Sequence, residues 1–459
     1  MRFSPLDRLD VRAGHPTLGR TATRKRPGAH AADRASAHPR RGPRPAWYDC
    51  TSTGPTRTEW AGHDDRWLAG LLQAREGELL LDLVFVFALT RFSERLIEDF
   101  TTERRIVLPE LGQTVLLLLA LWLVWIHAAF VTSVLGPRER AVQPVIVWIM
   151  FGSMIIAVTL PHAFGDRAVV FAITYVAIQL GKPVVLMLGR YDREGHAPAR
   201  ALCWAALSAV PWLAGAALFA QSPTRGILWT LALALDYTGL FLGWPVPRFG
   251  RTRLHDWRIA GEHLAERFQQ FVIITLGETI LLTGLTFAER FTPDRVAPTV
   301  VSFASTVLIW RSYFHRAGAL FPAAIETVPD PARLGWSAVQ THLIIVAGIL
   351  ATGVSHALVI DNPVGHEDPL WLAVILGGPA LFLAGRSLLE YQVFARVSAS
   401  RVVGLLALAA LVPLTVARTP ATAAIAQVVV LAAVAVWDAI RERRHPGEAP
   451  APPSRRPAT

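Results

Sequence analysis

The chain has 459 residues, is 52% hydrophobic and only 17% charged, and carries a formal net charge of +10. Soluble chains hold about 25% charged residues, and here the apolar residues come in blocks matching a bilayer core, which argues against a soluble globular protein. Two cysteines, Cys50 and Cys203, are too few for a disulfide framework. Cysteine and histidine clusters with metal-ligand spacing are absent, so neither a metal nor another cofactor is expected.

Residues 1–66 are rich in Arg, Pro, Ala, Gly and His without apolar periodicity, and read as a disordered basic tail. The tail has no apolar core of the signal-peptide kind. Its charge suits a cytoplasmic segment of a membrane protein better than a nucleic-acid partner.

Twelve apolar spans follow, roughly 78–91, 111–133, 142–163, 168–188, 201–220, 226–246, 268–287, 298–315, 339–360, 370–389, 402–417 and 421–440. The expected fold is therefore all-α, a polytopic membrane protein of about twelve transmembrane helices. The connections after even-numbered spans hold Arg138, Arg140, Arg190, Arg193, Arg200, Arg248, Arg251, Arg253 and Arg258; the C-terminal Arg441, Arg443 and Arg444 extend the pattern. Connections after the first and ninth spans are acidic (Glu94, Glu98, Asp99; Asp361, Glu367, Asp368). By the positive-inside rule both termini are cytoplasmic.

Displacing the chain on itself by 188 residues brings Glu78 onto Glu266, Trp122 onto Trp310 and His127 onto His315. Small gaps then bring Gly189-Arg190 onto Gly385-Arg386 and Asp236 onto Asp438. Six spans per half, an even number, imply two parallel repeats, 67–253 and 254–445, followed by a short tail, 446–459.

The stretch Glu78 to Asp99, ELLLDLVFVFALTRFSERLIED, carries two acids, Glu78 and Asp82, four apart on one helix face. It resembles the first helix of the bacterial low-temperature-requirement A (LtrA) proteins, approximately Glu-Leu-Phe-Phe-Asp-Leu-Val-Phe-Val. A second stretch, His263 to Gly284, HLAERFQQFVIITLGETILLTG, is similar to that family's His-x-x-Glu-Arg motif followed by Leu-Gly-Glu-[Ser/Thr]. The resemblance runs from about Glu78 to Arg441. It implies a multi-pass protein of the bacterial cytoplasmic membrane with a role in growth in the cold, and no agreed substrate or reaction.

Ionisable residues inside spans are costly and mark functional or paired groups. Glu78 and Asp82 lie at a depth that His127 also reaches, which predicts an acid–His pair, with Glu266 and His315 in the matching places of the second half. Glu278 lies twelve residues beyond Glu266, roughly 18 Å along the helix, and His356 is its expected partner. Lys182, before Pro183, is expected to pair with one of the acids. These eight residues form the candidate ion or proton path of a secondary transporter of an unidentified small ion or solute. A non-transporting scaffold or sensor and a cation channel are the alternatives. No catalytic motif points to an enzyme, and an oligomer is left open.

Overall fold

A computed structural model describes residues 57–102, 108–135, 142–189, 196–218, 223–252, 261–328, 331–365, 369–444 and 449–453, with side chains from residue 77 onward except at 102, 108 and 109. Most of the expected N-terminal tail and part of the C-terminal one lie outside the described residues, as do Arg138, Arg140, Arg190, Arg193, Arg253 and Arg258. Among the described residues the chain is all-helical and has no strand; an isolated bridge joins Val246 to Gly250.

The helices are α1 (Arg57–Thr102), α2 (Leu108–Leu135), α3 (Val142–Thr159), α4 (Ala168–Leu188), α5 (Ala197–Ala217), α6 (Pro223–Leu242), α7 (Gly261–Glu289), α8 (Pro293–Tyr313), α9 (Ala319–Thr327), α10 (Pro331–Asp361), α11 (Pro369–Phe394), α12 (Ala399–Thr415) and α13 (Pro420–Arg444). Each expected span falls on one of them. The ninth helix was not expected: its apolar run is too short to span and contains Pro322. A kink at His315 and Arg316, where Arg316 takes φ 54°, splits it from α8. Its Phe321 packs on Phe268 of α7.

Eight of the helices, α2, α3, α4, α5, α7, α10, α11 and α13, are long and apolar enough to cross a membrane. The polarity of the fold is inverted relative to a water-soluble bundle. On α3 the exposed stripe is Val147, Phe151, Met154 and Val158, at helical spacing. On α8 it is Val296, Val300, Phe303, Val307 and Trp310, while Arg295, Ser302, Ser305 and Thr306 of the same helix are buried. Averaged hydropathy leaves α8 out of the eight because its inward face is polar, yet its outward face is a lipid-type surface.

Helix α10 is the centre of the second half. It packs along α7 and α11, and almost every residue from Ile345 to Ile360 is buried. The crossing with α11 is close because glycines face backbone: a Cβ on Gly348 would lie 2.4 Å from the Phe382 nitrogen, and one on Gly378 2.7 Å from the Thr352 nitrogen. Small residues of this kind let helices approach where no hydrophobic drive exists between them. In the first half α3, α4, α5 and α6 pack in succession, and α2 contacts α3, α6 and α7.

The Gly348→Ala variant should therefore lose about 1–3 kcal/mol, read as a lowered thermal-unfolding midpoint of the purified protein. Gly377→Ala, where nothing lies within 4 Å of the added carbon, should leave that midpoint in place.

Candidate functional site

The sequence-nominated residues fall in separate places. Glu78 and Asp82 of α1 meet α7. Asp82 takes both Arg267 terminal nitrogens, Nη1 to Oδ2 and Nη2 to Oδ1, each at 2.8 Å. Glu78 Oε2 stands 3.3 Å from His263 Nε2, and the other ring nitrogen of His263 meets Ser133 Oγ of α2 at 3.0 Å. Acids at i and i+4 on α1 thus match His263 and Arg267 at i and i+4 on α7, in the same order, so the two helices run parallel at this contact. Arg267 Nη1 also donates to Gln270 Oε1 at 2.9 Å. Gln270 is the residue that replaces Asp82 in the sequence repeat, and both hold one guanidinium.

An aromatic shell closes the pair. Trp125 lies 6.0 Å from the Arg267 guanidinium carbon, and Phe271 packs against Trp122, Trp125 and Phe85. Asp82 and Arg267 are both buried. Burying an ion pair is costly, and a two-pronged carboxylate–guanidinium contact is the geometry that offsets the cost best.

The expected pairing of these acids with His127 is not what forms. His127 Nδ1 is 2.8 Å from the Leu123 carbonyl of its own helix, and the ring faces a cavity on the other side of α2. Glu266 is half-buried, one position from Arg267 and outside the Asp82 pair. His315 meets Glu442 at 3.5 Å, and its carbonyl accepts from Arg386 at 2.6 Å. That places it in a charge cluster with Arg386, Arg401, Glu390 and Asp438. There Arg401 Nη2 is 2.6 Å from Asp438 Oδ2 and Ser400 donates to Oδ1 at 2.8 Å.

Glu278 is fully buried, and neither of its oxygens has a hydrogen-bond partner. Ser93 of α1 faces it. His356 is not its partner: Nδ1 of His356 is 3.5 Å from Thr283 Oγ1, one turn further along α7. Thr275, Thr279 and Thr283 form a buried polar stripe on α7, each donating to the carbonyl four residues back.

The cavity has a volume of about 780 Å³ and lies between α2, α4, α5, α6 and the segment after α6. Its walls include Leu135, Ala197, Arg251 and Thr252, so it reaches the ends of these helices on one side. Lys182, His127, Gln179 and Asp236 line its inner part, Lys182 and Asp236 roughly 9 Å in from their helix ends. The expected Lys182–acid pair is absent. Its Nζ donates to Gln179 Oε1, Gln179 Nε2 donates to Tyr175 Oη at 2.8 Å, and Tyr175 donates to Asp236 Oδ2 at 3.2 Å. Trp212 Nε1 donates to the same Asp236 oxygen at 3.3 Å.

The segment after α6 is tied to α5. Arg200 donates to the Phe249 carbonyl at 2.8 Å and to Thr252 Oγ1 at 2.7 Å, and Trp204 donates to the Pro245 carbonyl at 2.9 Å. Gly243 takes φ 74° and its Cβ position falls 1.8 Å from the Thr252 carbonyl, so only glycine closes this loop. Among the described residues no group of three or more His, Cys, Asp or Glu gathers as a metal site.

Sequence reasoning missed Arg267 and His263, although both belong to the His-x-x-Glu-Arg motif. Their i, i+4 spacing, identical to that of Glu78 and Asp82, was the available signal. It also passed over Gln179, whose polarity inside an apolar span is equally telling.

Inverted polarity, long apolar helices and buried charge define a multi-span membrane protein. The family model described as "Bacterial low temperature requirement A protein (LtrA)" matches residues 73–436, and the chain belongs to that family. It is also 35% identical over 315 residues to an uncharacterized protein of Rhizobium meliloti (strain 1021), covering 67% of this chain and 75% of that one. No solved structure matches the chain.

Removing one partner of the α1–α7 pair leaves a buried charge alone. Arg267→Met should cost about 3–5 kcal/mol, read by thermal unfolding, whereas the double variant Asp82→Leu/Arg267→Met should recover most of the loss. A double variant as unstable as the single one would show that the pair is not what joins these helices.

Proposed function

We propose that the protein is a secondary transporter of the bacterial cytoplasmic membrane, with no enzymatic activity, whose solute site is the cavity between α2, α4, α5 and α6. The observation that carries this reading is the cavity itself: about 780 Å³, within the range of small-molecule sites, with Lys182, His127 and Asp236 at membrane depth in its wall. In this reading all twelve long helices, α1–α8 and α10–α13, span the bilayer with both termini cytoplasmic. The cavity then opens on the side of Arg200, Arg248 and Arg251, the cytoplasmic side by the positive-inside rule.

Two parallel repeats are part of the proposal. The parallel contact of α1 and α7 supports it, as do matching neighbour pairs: α3–α4, α4–α5, α5–α6 and α2–α6 in one half, α10–α11, α11–α12, α12–α13 and α8–α13 in the other. Glu278, buried beside Ser93 where two repeats would meet, is the site we assign to a coupling proton. Glu78, Asp82, Glu266, His315 and His356 are assigned to holding helices rather than to the path.

A non-transporting scaffold is the second reading, favoured by one feature: in the α1–α7 contact and the His315–Arg386 cluster, ionisable groups are engaged with one another or with backbone across helices.

Purified protein in liposomes, challenged with concentration jumps of anions, cations and zwitterions while charge movement and internal pH are followed, separates the two. At least one solute should give a signal absent from protein-free liposomes. Lys182→Gln should reduce that signal by about tenfold or more, and Glu278→Gln should remove its pH response. No signal above protein-free liposomes with any solute, from protein that stays monodisperse, would leave the scaffold reading standing.

A further inference from the structure

The cavity carries more information than its size. Its wall holds three permanent or potential cations, Lys182, Arg200 and Arg251, besides His127, against one acid, Asp236. That acid already accepts from Tyr175 and Trp212. Lys182 is 5% exposed, and the hydrogen bond its ammonium makes goes to a neutral amide. Among the described residues no carboxylate oxygen lies within 4.0 Å of it.

The second half shows what the same chain does with cations that serve only packing. There Arg401 stands against both Glu390 and Asp438, and Arg295 meets Asp361 at 2.9 Å. Buried cations there are met by acids or, for Arg386, by the backbone carbonyls of Ser312 and His315; Lys182 has a single neutral amide. A buried charge without a contacting counter-charge is expensive; Asp236 acts on Lys182 only through space, and the ammonium lines space large enough for a ligand. Apart from Gln179 and Thr252, the rest of the wall, including Phe130, Val134, Leu186, Trp204 and Leu240, is mainly apolar.

We propose that the ligand of this cavity is a small organic anion: one carboxylate or phosphate-type group bound at Lys182, attached to an apolar body that packs on the Phe130–Trp204 wall. The Arg200 and Arg251 side chains at the outer end draw the anion in. This assignment rests on the reading of the cavity as the solute site, but it is tested by binding and so stands or falls apart from transport.

The full chain in phosphatidylcholine nanodiscs is titrated calorimetrically with 3-phenylpropionate and decanoate, and with 3-phenylpropylamine and 3-phenylpropanol, which share the ring and chain but not the charge. Saturable binding of a carboxylate, with the amine and the alcohol at least about tenfold weaker, is the expected result. Lys182→Gln should weaken carboxylate binding by about tenfold or more, Lys182→Arg should restore much of it, and Trp204→Ala should weaken it through the apolar wall. Each variant is first checked for an unchanged unfolding midpoint, and Trp204→Ala and Lys182→Arg keep the test open if Lys182→Gln does not fold.

Equal or tighter binding of the amine, no binding of either carboxylate, or undiminished carboxylate binding in a folded Lys182→Gln would each overturn the assignment. Competition by phosphatidylglycerol added to the nanodisc would place the same anion chemistry on a lipid headgroup; its absence would place it on a free solute. Carboxylate binding without flux would refute transport and leave the anion site intact. Flux of a cation without carboxylate binding would do the reverse.

Discussion

The two-pronged contact between Asp82 and Arg267 is the constraint on which the rest of the structure turns. It joins the first helix to a helix 185 residues further along, through two charges that are both buried. Neither charge is tolerable alone at that depth, so α1 and α7 are fixed in register wherever the pair is made. The Glu78–His263 contact one turn away repeats the register, and Trp125, Phe85 and Phe271 pack beside the Asp82–Arg267 pair. Further along α1 the same alignment sets Ser93 opposite Glu278, Arg95 against the Pro161 carbonyl at 2.6 Å, and Phe100 against Val354 and Leu358 of α10.

Around that seam the halves treat charge differently. In the second half Arg401 is paired with Glu390 and Asp438, His315 meets Glu442, Arg386 is held by two backbone carbonyls, and tight glycine contacts bind α10 to α11. In the first half α2, α4, α5 and α6 surround a large cavity whose inner cation has no carboxylate oxygen within 4.0 Å among the described residues.

Much of the architecture was legible in the residues. Apolar blocks placed every long helix, although those of the first, seventh and eleventh spans were short; in lipid the backbone must satisfy itself within each segment. Only α9 escaped, since nine residues broken by Pro322 give neither the length nor the continuity of a span. The two LtrA-like stretches were equally visible, and they turn out to be the two faces of one contact. What the linear pattern could not supply was which face met which. His127 was expected beside Asp82 because their depths agree, but depth along a helix axis says nothing of rotation about it, and the ring points to the cavity instead.

By itself, then, the sequence determined the class, the family, the helices and the list of residues too costly to be in a membrane by accident. Composition and periodicity set those things locally. The partners were decided only by tertiary structure: Arg267 for Asp82, His263 for Glu78, Gln179 for Lys182, and no hydrogen-bond partner for Glu278. Each depends on how helices far apart in the chain rotate and pack, and a charge becomes a clamp or a binding group according to what that packing sets against it.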